Sequence, residues 1–201
     1  MKKCVLVAVT AFLILVGGCT SGEKSVREGE KRTAVTTLSE WGIDVSVQYL
    51  DRKILYDRFG TRNNPFFEYA GDRLIVIEFT MSTENDVRLR IMKIIFDYLN
   101  SVSVPVSRVD FSQYWEQTLR NPGAASTGVP NEYRDWSYNQ VLKVINENTL
   151  PDSLELEPGH EYRGLMLFKG SVGRYGTARI TVPFYAVNGK KLHEFVFLVD
   201  I

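Results

Sequence analysis

Residues 178–201, ARITVPFYAVNGKKLHEFVFLVDI, carry the clearest structural signal in the sequence. Two segments rich in β-branched and aromatic residues flank Asn188-Gly189. Asn-Gly between two such segments is the strongest short-range signal for a β-hairpin, because a type I′ turn needs positive φ at both of its central positions. The sequence therefore predicts two strands joined by a type I′ turn at Asn188-Gly189.

Further strands are predicted upstream of this hairpin. In residues 42–50, GIDVSVQYL, polar residues alternate with four apolar ones, Ile43, Val45, Val47 and Tyr49. This alternation is typical of a half-buried strand. Residues 73–81, RLIVIEFTM, have the composition of a central strand. Extended structure is also predicted for residues 53–59, KILYDRF, and for residues 100–111, NSVSVPVSRVDF, where Pro105 favours an edge or a bend.

Residues 87–99, VRLRIMKIIFDYL, fit two patterns. Their first five residues alternate between apolar and basic, as in a strand. Val87, Ile91, Ile94, Ile95 and Tyr98 also fall on one face of a helix. A strand is favoured, because the predicted strand before this segment is separated from it only by the short polar turn at residues 82–86.

These patterns predict a mostly-β fold. Roughly seven strands with turn signals at this spacing indicate a two-sheet antiparallel β-sandwich. The layout resembles immunoglobulin-like domains of unassigned function in bacterial lipoproteins. The resemblance rests on a strand at residues 74–81, an L-x-P-G turn at residues 156–159 and a closing apolar strand at residues 195–201. It covers about residues 41–201 and implies an immunoglobulin-like sandwich, although the Cys…Trp…Cys core of antibody domains is absent from the sequence.

One short helical insertion is predicted at about residues 112–152. Residues 121–131, NPGAASTGVPN, have the composition of a loop. Asp135 is a suitable N-cap for a helix in which four apolar residues have helical spacing, namely Trp136, Val141, Leu142 and Ile145. Pro151 follows the end of this helix. The sequence thus predicts a single β-sandwich domain over residues 37–201, with a loop and one helix inserted in it.

The amino-terminal residues have the pattern of a signal peptide. Lys2 and Lys3 precede residues 4–16, which are apolar except for Thr10. Such a run is shorter than the about 20 residues needed to cross a bilayer and fits the apolar region of a secretory signal. The Val-Gly-Gly-Cys sequence that follows, ending at Cys19, resembles the lipobox of bacterial lipoproteins. The resemblance implies that residues 1–18 are removed, that Cys19 carries a diacylglycerol thioether, and that its amino group is acylated.

A flexible tether is predicted for residues 19–36, because they are polar and show no apolar periodicity. Several acyl chains on Cys19 would anchor the protein stably, whereas one chain alone binds a membrane only marginally. The predicted location is extracytoplasmic. It is the outer membrane or periplasm if the host has two membranes, and otherwise the outer face of the cytoplasmic membrane. Lys plus Arg and Asp plus Glu number 24 each, so no excess of basic charge favours nucleic acid.

Five residues are candidates for binding a protein partner. Large aromatic residues dominate binding hot spots, and three of them lie in or near the insertion, Trp115, Trp136 and Tyr138. Residues 170–176, GSVGRYG, are predicted to form a hairpin loop with Arg174 and Tyr175 at its tip. No catalytic residues, metal ligands or cofactor are predicted, because the two histidines, His160 and His193, have no partner recognisable in the sequence.

The sequence favours a non-enzymatic, lipid-anchored protein of the cell envelope that binds or scaffolds a protein partner. A glycan- or peptide-binding module is the alternative, with an aromatic groove formed by residues 56–69, YDRFGTRNNPFFEY. The same residues also fit the edge of a core, which is the favoured interpretation. An envelope hydrolase with a carboxylate pair is a third hypothesis, because such pairs cannot be recognised from spacing.

Overall fold

The computed structural model describes residues 34–66, 68–69, 72–99, 101–120, 136–170 and 176–201. Within these ranges the fold is mostly β, with two antiparallel sheets and three α-helices. The two sheets face each other and form a β-sandwich, as predicted. The immunoglobulin-like topology stays a prediction.

The first sheet is the one on which the helices pack. Its strands are β1 Thr36–Glu40, β2 Ile43–Leu50, β3 Glu68–Tyr69, β4 Asp72–Thr83 and β9 Glu161–Lys169. Their order is β1-β2-β4-β9, and the short β3 pairs with the beginning of β4.

The second sheet contains six strands. They are β5 Val87–Arg90, β6 Ile95–Tyr98, β7 Ser101–Ser103, β8 Ser153–Leu156, β10 Thr177–Ala186 and β11 Lys191–Asp200. The central strand, β10, pairs with β11 along its length, with β6 through residues 179–181 and with β5 through residues 184–186. The short strands β7 and β8 extend the sheet beyond β6 and β5, respectively.

Residues 178–201 form the predicted hairpin, but its turn is of another type. The Gly189 N–H donates to the Ala186 carbonyl at 2.8 Å, and Gly189 has φ 88°. Asn188 does not have positive φ, and its side-chain oxygen accepts from the Lys190 N–H at 3.0 Å. This is the three-residue loop in which a type I turn is followed by a left-handed glycine. The prediction of a type I′ turn is therefore wrong, because Asn188 binds the following backbone and Gly189 alone takes positive φ.

The space between the two sheets is filled by the alternate residues of each strand. In β2, Ile43, Val45 and Val47 are buried in this core and Tyr49 is partly buried against it, which confirms the predicted alternation. Leu50, at the end of the strand, is buried in the other core. Residues 87–99 form β5 and β6, separated by a 3₁₀ turn at Ile91–Lys93. The strand interpretation is confirmed, and the turn allows both Ile91 and Ile94 to be buried in this core.

Two segments predicted to be extended contain helices. Residues 53–59 lie in α1, Arg52–Phe59, where the Asp51 side chain accepts from the Ile54 N–H at 2.8 Å. The other segment, described from residue 101, is extended only as far as Pro105, which pairs with Phe168. The Ser107 hydroxyl then accepts from the Asp110 N–H at 3.0 Å and caps the next helix.

The insertion therefore contains two described helices instead of one, and the first begins before residue 112. They are α2 Arg108–Arg120 and α3 Tyr138–Asn148. With α1 they cover the outer face of the first sheet and enclose a second core. Its buried members are Leu50, Leu55, Phe66, Val76, Phe111, Trp115, Val141, Ile145, Leu165 and Leu167. In the part of the chain described, no helix is long and apolar enough to cross a membrane.

Candidate functional site: the groove between two helices

The candidate site lies on the outer side of α2 and α3. Each helix buries one face against the first sheet: Phe111 and Trp115 from α2, and Val141 and Ile145 from α3. Residues four apart lie on the same side of a helix, so these pairs fix the rotation of both helices about their axes. Their other faces are consequently turned away from the sandwich.

The start of α2 carries a positive charge that is fixed in position. The Asp152 carboxylate accepts from the Arg108 N–H at 3.0 Å, and Arg108 Nε donates to the Thr149 hydroxyl at 3.0 Å. Burial lowers the pKa of Arg108 and the nearby Asp152 carboxylate raises it, with burial the larger effect. A guanidinium group remains protonated in proteins, so Arg108 supplies a cation at this point.

The start of α3 is held by a residue distant in the sequence. Asn63 has φ 57°, and its side-chain oxygen accepts from the Ser137 N–H at 2.7 Å. Its amide nitrogen donates to the Gln140 side chain at 2.5 Å. Ser137 is the residue before the helix, and the predicted N-cap, Asp135, lies outside the described residues. Sequence reasoning missed this contact, because it joins residues 74 positions apart.

Between the outer faces of the two helices is an open groove of about 270 Å³. We call it the α2–α3 groove. It combines hydroxyl and amide groups with one cation, one carboxylate, one phenol ring and aliphatic surface. Its lining residues are Arg108, Val109, Ser112, Gln113, Glu116, Tyr138, Leu142 and Asn146. The groove therefore offers both hydrogen-bonding groups and apolar contact surface.

Tyr138 is held in this groove by a neighbouring cation. The Arg120 guanidinium carbon lies 4.2 Å from the centre of the Tyr138 ring. Arg120 also forms an ion pair with Glu116, at 3.2 Å between Nη1 and Oε1. A cation at this distance over an aromatic face is attracted by the ring quadrupole. The contact orders the Tyr138 ring, which is one of the predicted partner-binding residues.

The other two aromatic candidates of the insertion lie deeper. Trp115 is only 1% exposed and belongs to the second core. Trp136 is half-buried and its ring stacks on Trp115, with centroids 5.2 Å apart and planes at 27°. The structure thus brings Trp115, Trp136 and Tyr138 together. Trp115 offers no surface to a partner, because its ring is enclosed by the helices and the sheet.

Three further candidates lie outside the described residues: Cys19, Arg174 and Tyr175. The segment that contains the last two joins β9 of the first sheet to β10 of the second. These strands do not pair with each other, so the prediction of a hairpin loop at residues 170–176 is wrong.

Two aromatic residues of the segment 56–69 belong to the second core or pack against it. Phe66 is fully buried, and Phe59 is half-buried beside it with ring centroids 4.8 Å apart. Tyr56 is exposed. This agrees with the favoured interpretation of the segment as the edge of a core.

Both histidines have an acidic neighbour that the sequence did not reveal. His193 Nε2 lies 3.0 Å from Glu40 Oε2, and His160 Nδ1 lies 3.9 Å from Glu157 Oε2. Glu40 and His193 lie on strands of different sheets, so spacing along the chain could not have predicted their pairing. Among the described residues no group of three or more histidine, cysteine or acidic side chains could hold a metal ion.

A buried ion cluster joins α1 to the first sheet. Glu78 of β4 is 6% exposed and accepts two hydrogen bonds from each of two arginines. Arg58 of α1 donates at 2.5 and 3.1 Å, and Arg163 of β9 donates at 2.9 Å from each of two nitrogens. Burial by itself would raise the pKa of Glu78, but the hydrogen bonds and charges of Arg163 and Arg58 together hold it below its ordinary value. Glu78 is therefore ionised at neutral pH.

Comparison with known proteins found no matching family model, no matching curated protein and no matching solved structure.

Proposed function

We propose that this chain is a lipid-anchored protein of the cell envelope that binds a protein partner through the α2–α3 groove and catalyses no reaction. The groove is the observation that carries the proposal. It is an open concavity on a two-helix layer, and the buried second core fixes the position of that layer. Preorganised surfaces of this kind lose little conformational freedom on binding.

The side chains of the groove suit an extended polypeptide segment. Gln113 and Asn146 each offer a donor and an acceptor, which match the N–H and C=O groups of a peptide backbone. Tyr138 and Leu142 provide contact surface for an apolar side chain of the partner. Arg108 and Glu116 add one charge of each sign, which fixes the direction of the bound segment.

The membrane anchor is supported by the sequence. The apolar residues 4–16 and the Val-Gly-Gly-Cys sequence at residues 16–19 have the order of a lipoprotein signal. We expect Cys19→Ala to move the protein from the membrane fraction of its host cells to the soluble fraction. Intact-mass measurement of the native protein should find residue 19 at the amino terminus with a lipid mass added. An unmodified Cys19, or a leader still attached, would contradict the anchor and leave the groove untested.

The groove itself is tested by replacing Tyr138. A photo-crosslinking residue at position 113 should capture a specific envelope protein in intact cells. Tyr138→Ala should weaken the affinity for the purified partner about tenfold, because removing a central aromatic contact costs more than about 1 kcal/mol. Lys143→Ala is the matched control, since Lys143 is an exposed residue of the same helix that does not line the groove. Equal effects of the two variants would refute the assignment of the groove.

A further inference from the structure

The hairpin between β1 and β2 presents an exposed tryptophan at its tip. Glu40 and Ile43 form the last pair of the hairpin, so Trp41 and Gly42 are its two turn residues. Their φ angles are 59° and 67°, as a type I′ turn requires. The Trp41 side chain is 73% exposed.

Trp41 is a poor choice for the stability of this turn. Positive φ is an outlier for a bulky residue, and Asn-Gly is the sequence that a type I′ turn favours. An indole that is so largely exposed gains little from burial to offset the backbone strain. Strained residues of this kind occur at functional sites, where the surrounding structure maintains them.

The neighbouring turn between β4 and β5 holds the tryptophan in place. The Glu84 N–H donates to the Gly42 carbonyl at 2.8 Å, and the Asn85 amide donates to the Trp41 carbonyl at 3.4 Å. A Cβ atom at Gly42 would lie 3.0 Å from the Asn85 side-chain nitrogen, so the two turns are tightly packed. The backbone that carries the indole is therefore fixed before any partner arrives.

Two carboxylates lie beside the turn that carries the indole. A Glu84 carboxylate oxygen lies 3.1 Å from the position that a Cβ of Gly42 would occupy. Glu84 is exposed, and no ion pair of its carboxylate occurs among the described residues. Glu40, the residue before Trp41, contacts His193, whose ring centroid lies 6.2 Å from that of Trp41. Lys191, two residues before His193 on β11, is engaged by Glu194.

We propose that Trp41 and Glu84 form a recognition site for an arginine or lysine side chain on a basic segment of a partner protein. The indole face attracts the cation, and Glu84 provides the opposite charge. The carboxylates disfavour the alternative of an anionic membrane surface. The site lies at a hairpin tip, apart from the α2–α3 groove, and it does not depend on the function proposed for that groove.

The test measures binding of a short basic peptide to the folded domain. The indole N–H of Trp41, assigned by its loss in a Trp41 variant, is followed by NMR while acetyl-Gly-Arg-Gly-Arg-Gly-amide is added. We expect a saturable shift. The same peptide with citrulline in place of arginine should bind the wild-type protein about fivefold more weakly. The arginine peptide should likewise bind Glu84→Gln about fivefold more weakly than it binds the wild type. A loss of this size is expected when an exposed cation–π contact or an exposed ion pair is removed. Glu147→Gln, a change on an exposed face of α3, should have no effect.

A second variant separates recognition from folding. Trp41→Asn creates the favoured Asn-Gly turn, so the thermal midpoint should stay the same or rise while binding of the arginine peptide is lost. Three results would overturn the proposal: equal binding of the citrulline peptide, an equal shift of the indole signal by the neutral oligosaccharide chitotriose, or a thermal midpoint that falls in Trp41→Asn. The last would show that the indole is retained for stability.

Discussion

Replacing Glu78 by alanine is expected to lower the free energy of unfolding by about 2–3 kcal/mol, because two guanidinium groups lose the carboxylate that neutralises them. Removing one partner of a fully buried ion pair costs about 3–5 kcal/mol. Here the side chains of Arg58 and Arg163 are 31% and 58% exposed, so water replaces part of the lost interaction. Urea unfolding, followed by circular dichroism, should give this difference in free energy, while the slope of the free energy against urea concentration stays the same.

Glu155→Ala is the matched control for this substitution. Glu155 of β8 forms an ion pair with Arg88 of β5, but its side chain is 63% exposed. Exposed ion pairs contribute about 0–1 kcal/mol, so the control should have a much smaller effect. Equal losses in Glu78→Ala and Glu155→Ala would contradict the role assigned to burial.

The same cluster predicts how stability depends on pH. The pKa of Glu78 in the folded protein lies below its ordinary value of 4.5. The stabilisation by ionised Glu78 is therefore complete above that ordinary value and is lost as the pH falls through the lower pKa of the folded state. The stability difference between wild type and Glu78→Ala should narrow on acidification. A difference that stays constant from pH 7 to pH 3 would show that charge does not contribute.

Strand alternation made the sandwich predictable, because a strand with one buried face repeats every two residues. Ile43, Val45 and Val47 follow that rule, and the structure buries all three. The prediction of extended structure for residues 53–59 was wrong, because α1 is short and buries only Leu55 among its own residues, which leaves a weak helical pattern in the sequence. The cap at Asp51 was the signal that could have identified this helix.

The helix α2 was missed for a different reason. The sequence analysis predicted that the extended segment continues past Ser107 to residue 111, whereas Ser107 caps a helix. The buried residues Phe111, Trp115 and Thr118 are spaced by four and three, which is the helical period. Reading from Ser107 as an N-cap would have placed this helix correctly.

The candidate sites could be predicted only in part. Tyr138 was selected as an aromatic residue of the insertion, and it does line the groove. The contribution of Asn63 to the start of α3 depends on a contact across 74 positions of sequence. No sequence pattern identified Trp41 as a site residue, because its exposure and positive φ are set by the register between β1 and β2. Sequence patterns describe single elements, whereas these sites arise where elements meet.

The second large effect is expected from Trp115→Ala, which should lower the free energy of unfolding by about 3–5 kcal/mol, as for other buried tryptophans. The indole contacts Trp136 and Tyr114, at centroid distances of 5.2 and 5.4 Å, so its loss leaves a cavity beneath both helices. Hydrogen exchange should show the largest loss of protection in α2 and α3, because the sandwich retains its own core.

Trp136→Ala is the comparison variant for Trp115→Ala. Trp136 is half-buried, so its removal should destabilise the domain less than Trp115→Ala does. Trp115→Phe, which keeps an aromatic ring in the core, should recover part of the loss. If Trp115→Ala weakened partner binding without lowering stability or protection in α2 and α3, Trp115 would be a contact residue as the sequence first indicated. If stability falls with binding, the tryptophan acts on the groove by supporting the helices that form it.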